Sequence, residues 1–266
     1  MPTFTYRGHN MVWDSYGEGA NTMLFIHGLG SHGKQWMYQI NHFKKFNRVI
    51  TVDLFGHGQS AKDVDPIFAP RIDAEAIMAL IGKEIGEAVW VIGHSFASAI
   101  LPEMIKLDRT LLKGVVFVDC TYQGFDHVIL TRENFARHML EYDDQMLAIR
   151  TDKWFDDLIG PTDKSTVNFI KSPIKFCDIR WLFESSAGCR RYNLLHPPDK
   201  TPVYPDLPIF VIESDHGVGN DIHKSWVNHF RQSRYYLFDD SWHFFFVTKH
   251  TEFNQLIENF MIVNSE

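Results

Sequence analysis

The chain has 266 residues, with 26 Lys and Arg against 33 Asp and Glu, a formal charge of −7, 45% hydrophobic and 22% charged residues. That acidic balance, with no basic run to neutralise phosphates, argues against nucleic-acid binding, and no segment approaches the roughly 20 apolar residues that span a bilayer. Three cysteines, Cys120, Cys177 and Cys189, share no repeated spacing, which argues against a disulfide framework and against a zinc site.

The N-terminal MPTFTYRGHN lacks a cationic stretch followed by an apolar one, so no signal peptide is expected and the protein is expected to be cytoplasmic. Thr3–Arg7 and Met11–Tyr16 flank a Gly-His-Asn turn and read as a hairpin. Met23–His27 is a short apolar strand ended by glycines, followed by a helix with Trp36, Ile40 and Phe43 on one face. Arg48–Asp53 is the next strand, and Ile72–Ile85 has helical periodicity. Ala88–Ile92 runs as a strand into Gly93-His-Ser-Phe-Ala97 and a helix over Ser98–Leu107; Gly114–Asp119 is another buried strand. From Tyr122 to Pro205 the pattern is helical, rich in charge and aromatics, with no clear strand. Strands return at Ile209–Glu213 and Tyr235–Phe238, with helices over Asp221–Phe230 and Glu252–Phe260.

Nearly all-apolar strands alternating with amphipathic helices describe an α/β domain, a mostly parallel sheet covered on both faces. The sheet core is expected over 1–121 and 206–266, with 122–205 inserted as a helical cap, or lid, above the sheet's C-terminal edge.

Gly93-His-Ser-Phe-Ala97 sits between a buried strand and a helix, the context that gives the G-x-S-x-G pattern its meaning. The turn is so tight that only small residues fit two places either side of the serine; Gly93 satisfies this, and Ala97 replaces the usual second glycine. Ser95 is therefore the candidate nucleophile. A serine hydroxyl is a weak nucleophile near neutral pH and needs an adjacent base. Acyl transfer also builds negative charge on a carbonyl oxygen, which two convergent backbone N–H groups stabilise. Phe96, after the serine, would supply one. Leu29, in the His27-Gly-Leu-Gly30 loop, would supply the other.

HGLG, then Asp53-Leu-Phe-Gly-His-Gly-Gln-Ser60, then GHSFA, resembles the α/β-hydrolase superfamily in its esterase, lipase and haloperoxidase-like branch. The resemblance implies the α/β-hydrolase fold, a structural role for Asp53, and a chain order of serine, acid, histidine. Among 14 histidines, His243 then holds the matching place, after the Tyr235–Phe238 strand and before the last helix, with His250 as its rival. The acid is expected after the Ile209–Ile212 strand, where Asp215 is the first candidate and Glu213 an alternative. Asp119, at the end of the preceding strand, is the other acid position used by some members.

The resemblance implies a serine hydrolase that cleaves carboxylic esters of small to medium acyl groups through an acyl-enzyme, without metal or organic cofactor. Phe125, Trp154 and Trp181, with Phe135, Phe155 and Phe183, could line an apolar pocket or simply pack the cap. The expected partner is a small-molecule acyl ester or lactone, and the expected assembly a monomer or small homo-oligomer. Lactonase, thioesterase, carbon–carbon hydrolase or lyase chemistry, acyl transfer, and a non-catalytic ligand receptor stay open, because fold does not fix reaction.

Overall fold

A computed structural model describes residues 1–67, 69–120, 126–195, 206–216 and 233–264, with backbone alone at 126–132 and 189–195. Among the described residues eight strands form one sheet: β1 (Thr3–Tyr6), β2 (His9–Tyr16), β3 (Thr22–Ile26), β4 (Arg48–Val52), β5 (Val89–His94), β6 (Leu112–Val118), β7 (Ile209–Ser214) and β8 (Ser233–Phe238). Their spatial order is β1-β2-β4-β3-β5-β6-β7-β8. β1 and β2 pair antiparallel and β2 lies antiparallel to β4, while every pairing from β4 to β8 is parallel.

The opening hairpin turns one residue earlier than the sequence suggests. Arg7 and Gly8 take φ of 49° and 88°, the left-handed pair of a two-residue hairpin loop. His9 and Asn10 therefore lie in the ladder, opposite Tyr6 and Thr5.

Successive strand residues point to opposite faces, and the buried side chains sort accordingly into two cores. Leu24, Ile26, Val89, Val91, Val115, Phe117, Ile209 and Val211 pack on one side with Ile77 and Leu80 of α2 (Ala69–Leu80) and Leu101 and Met104 of α3 (Leu101–Asp108). Their neighbours Met23, Phe25, Trp90, Ile92, Val116, Val118, Phe210 and Ile212 face the other way. There they meet Ile40 and Phe43 of α1 (Met37–Phe43) and Phe253, Ile257 and Phe260 of the last helix. The helices thus cover both faces, and each fully buried Leu, Ile or Phe contributes about 1.5–3 kcal/mol.

Among the described residues between β6 and β7 come four α-helices, α4 (Asp126–Leu140), α5 (Asp144–Ile159), α6 (Lys164–Lys171) and α7 (Ile179–Leu195); the last described helix is α8 (His250–Val263). Asp143 and Asp163 cap α5 and α6, accepting from Met146 N–H and from Ser165 and Thr166 N–H, a contribution of about 1 kcal/mol each. Ala136, Met139, Leu147, Phe183 and Ala187 form a core between α4, α5 and α7. Arg180 ties α7 to the α4–α5 turn, donating to Leu140 O and Tyr142 O and pairing with Asp144. The junctions 121–125 and 196–205 and the expected helix over 221–230 lie outside the described residues. Among the described residues no helix is long and apolar enough to cross a membrane.

Candidate active site

β5 delivers Ser95 at the sheet's C-terminal edge. The serine's φ is 52°, a left-handed conformation that costs a non-glycine residue about 1–3 kcal/mol and persists only where the surroundings enforce it. The crowding is visible at Gly93: a Cβ there would lie 2.7 Å from the Ala97 methyl and 2.9 Å from Leu101. Glycine is required at that position, and alanine is accommodated at the other. The loop after β3 closes on the serine as well, since a Cβ on Gly28 would come within 3.1 Å of Ser95 Cβ.

His243 lies on the loop between β8 and α8, and its Nε2 sits 2.8 Å from Ser95 Oγ. On its other side, Nδ1–H donates to Asp119 Oδ2 in a short contact in which both side chains are buried. The carboxylate that meets His243 is therefore Asp119, at the end of β6, and not Asp215. The register explains the placement: Val118 pairs with Ile212, and Asp119 N–H donates to Ile212 O at 2.8 Å. With φ of 44°, Asp119 leaves the strand direction. Its Oδ1 accepts from Ser214 N–H at 3.0 Å and Ser214 Oγ at 3.1 Å.

Asp215 is engaged elsewhere, accepting Asp240 N–H at 2.7 Å and Ser241 N–H at 2.8 Å in the turn that leads to His243. Partial burial works against its ionisation, but the amides of Ser241 and Asp240 prevail and hold the carboxyl below its ordinary value. Glu213 is buried on β7 beside Tyr235, whose hydroxyl burial and this carboxylate push up. His250, the rival histidine, begins α8 and stacks on Tyr38 with ring centres 4.3 Å apart.

Three further buried histidines brace the site, and sequence reasoning singled out none of them. His94 Nε2–H donates to the His243 carbonyl at 3.0 Å, its ring 4.4 Å from the His243 ring. His27 Nδ1–H donates to Gly28 O while Nε2 accepts Leu54 N–H, and His57 Nδ1–H donates to Phe55 O. A carbonyl cannot donate, so each bond fixes a tautomer. Burial lowers all three basicities, in His27 to about 3; in His94 the neighbouring His243 adds to the effect, and in His57 His27 does.

Ser95 and His243 line a cavity that Leu29 and Phe96 also border. Phe135 of α4, Trp154, Phe155 and Leu158 of α5, Phe183 of α7 and Phe244 form its apolar walls, and Ser186 adds one hydroxyl. Trp154 lines this cavity and also packs on the core between α4, α5 and α7. Trp181 does not line it: its indole N–H donates to Val64 O at 3.0 Å and its ring packs edge-on against His57. Phe125 lies outside the described residues. Leu158, Ser186 and Phe244 were not anticipated, because only the packing of α5, α7 and the His243 loop brings them to the cavity. Among the described residues no three His, Cys, Asp or Glu side chains converge to hold a metal ion.

A hydroxyl in contact with an imidazole that is itself held by a buried carboxylate is equipped to lose its proton as it attacks an electrophilic carbon. Residues 23–256 match the family model described as alpha/beta hydrolase family. A stretch of 122 residues, 41% of the chain, is 30% identical to the dihydrolipoyllysine-residue acetyltransferase component of the acetoin cleaving system of Cupriavidus necator. Over 104 residues, 38% of the chain, identity to Lipase LipV of Mycobacterium tuberculosis is 32%. The chain spans 30% and 38% of the length of these two curated relatives. The solved enol-lactonase of Burkholderia xenovorans LB400 superposes with a TM-score of 0.82 at 16% identity, over 98% of this chain and 100% of that one, a likeness of fold.

Proposed function

Since this chain belongs to the alpha/beta hydrolase family, we propose that it is a serine hydrolase acting on small-molecule carboxylic esters of small to medium acyl groups. The observation that carries this reading is the continuous chain of hydrogen bonds from Ser95 Oγ through His243 to Asp119, opening onto an apolar-walled cavity. Relatives that include a lipase support it.

In the proposed mechanism Ser95 Oγ attacks the ester carbonyl while His243 Nε2 takes its proton. Asp119 holds Nδ1–H and stabilises the imidazolium without becoming protonated. The tetrahedral oxyanion is received by the N–H groups of Leu29 and Phe96. Collapse of the intermediate breaks the bond to the alkoxy leaving group, which takes the proton from His243 and departs as an alcohol. Water, deprotonated by His243, then cleaves the acyl-enzyme, releasing the carboxylic acid and restoring Ser95. The helices α4, α5 and α7 act as the lid that shapes the acyl site. Its aromatic walls favour an uncharged acyl group, because a carboxylate placed there without a partner would bear its full desolvation cost.

Hydrolysis of p-nitrophenyl esters from acetate to dodecanoate, compared between wild type and Ser95→Ala, tests the proposal. A fall in turnover of about a thousandfold or more in the variant is the expected result. A folded wild type that turns over none of these esters overturns it.

A further inference from the structure

The acid of the proposed relay follows β6 and the base lies on the loop after β8, yet three consecutive residues, the last of β7 and the two after it, hold both. We propose that Ser214 and Asp215 are positioning residues for the reaction, Ser214 for Asp119 and Asp215 for His243; this inference rests on Asp119 serving as the acid. A carboxyl group rotates over a broad range about its last torsion, so one bond to His243 would leave Asp119 free to swing. Ser214 removes that freedom. Fully buried, it places both its N–H and its Oγ–H on Asp119 Oδ1, at 3.0 and 3.1 Å, and leaves Oδ2 for the imidazole.

The next residue holds the base. The Asp215 carboxylate spans Asp240 N–H and Ser241 N–H, three and two residues before His243, and so stabilises a turn in which Asp240 has φ of 47°. Asp215 N–H donates to Phe238 O, and His216 N–H to Ser241 O at 3.0 Å. The His216 ring stacks on Trp242 at 4.5 Å. Ser214 pairs with Phe238 in the β7–β8 ladder, so the turn is tied to β7 from both ends. One short backbone segment thereby sets the separation between Asp119 and His243. The carboxylate that the sequence offered as the acid becomes the clamp on the base.

The test is steady-state kinetics on a p-nitrophenyl ester, with Ser214→Ala made in the wild type and in Asp119→Asn, and with Asp215→Asn made alone. Ser214→Ala is expected to lower kcat about tenfold at unchanged KM, and to lower it by less than about twofold in Asp119→Asn, since a residue acting through Asp119 has nothing left to position there. Asp215→Asn is expected to lower kcat about tenfold at unchanged KM. It should also broaden or abolish the downfield His243 Nδ1 proton resonance while thermal unfolding stays cooperative, a signature that general loosening elsewhere would not give. The proposal stands only if both hold. A Ser214→Ala penalty of equal size in both backgrounds overturns it, as does an Asp215→Asn protein with wild-type kcat and resonance. An Asp119→Asn protein of wild-type activity instead overturns the relay on which the inference rests.

Discussion

Asp119 takes a left-handed conformation at the end of a parallel strand, a geometry costing about 1–3 kcal/mol that its surroundings must enforce. They do so with three hydrogen bonds to the carboxylate, two from Ser214 and one from His243. If this is the acid of the relay, Asp119→Asn should lower kcat about 10⁴-fold by stabilising the wrong imidazole tautomer. Glu213→Gln should keep kcat within about threefold, because that carboxyl is engaged with the Tyr235 hydroxyl. Parallel kinetics of the two variants check this, and the reverse order would move the acid to Glu213. The sequence made Ser95 and His243 legible, since a strand-to-helix elbow and a histidine before the last helix are local patterns. The acid was not. Asp119 and Asp215 both follow apolar strands, and only the β6–β7 register together with the local φ decides which of them reaches Nδ1.

At its C-terminal end α5 meets the loop of the candidate base. Leu158 O accepts His243 N–H at 3.1 Å, and Gly160 presses on the Trp242 ring. With φ of 68° and ψ of −170°, Gly160 occupies a region open to glycine alone, and a Cβ there would lie 2.2 Å from the indole. Gly160→Ala should therefore cost about 3 kcal/mol or more, from backbone strain and overpacking together, and lower kcat by displacing the His243 loop. Gly86 provides the contrast: its φ is 75°, but a Cβ there would meet nothing within 4 Å. Gly86→Ala should cost about 1–2 kcal/mol from backbone strain alone and leave kcat unchanged. Urea unfolding and kcat measured on both variants separate a helix end that merely terminates from one that also holds the site. Strands β3 to β7 were readable from their apolar runs because both faces are buried. The contact between α5 and the His243 loop was not, since no periodicity in either segment reports on the other, and neither Gly160 nor Trp242 belongs to a local motif.

At the scale of the whole molecule, the site is built over histidines that must stay neutral. His27, His57 and His94 each donate one ring N–H to a carbonyl, and burial holds all three below the ordinary value of 6.5. Neutrality serves the proposed chemistry, because a cation on His94, 4.4 Å from His243, would oppose the imidazolium that forms during attack. It also makes the fold sensitive to acid. Below about pH 6.5 the unfolded chain takes up protons on these three groups while the folded chain does not, so stability falls as pH falls. Asp73 opposes this: burial raises its carboxyl well above 3.8, so the folded chain keeps a proton that the unfolded chain has released. One carboxyl opposes three histidines, so stability is expected to fall between pH 7 and pH 5. Urea midpoints measured from pH 7.5 to 5 check this, with His57→Gln as the control. That variant removes one titrating group, so its stability should fall less steeply with acid than that of the wild type. A wild-type profile that stays flat over this range would mean that the buried histidines are charged in the folded state, with their hydrogen-bond roles around Ser95 rearranged.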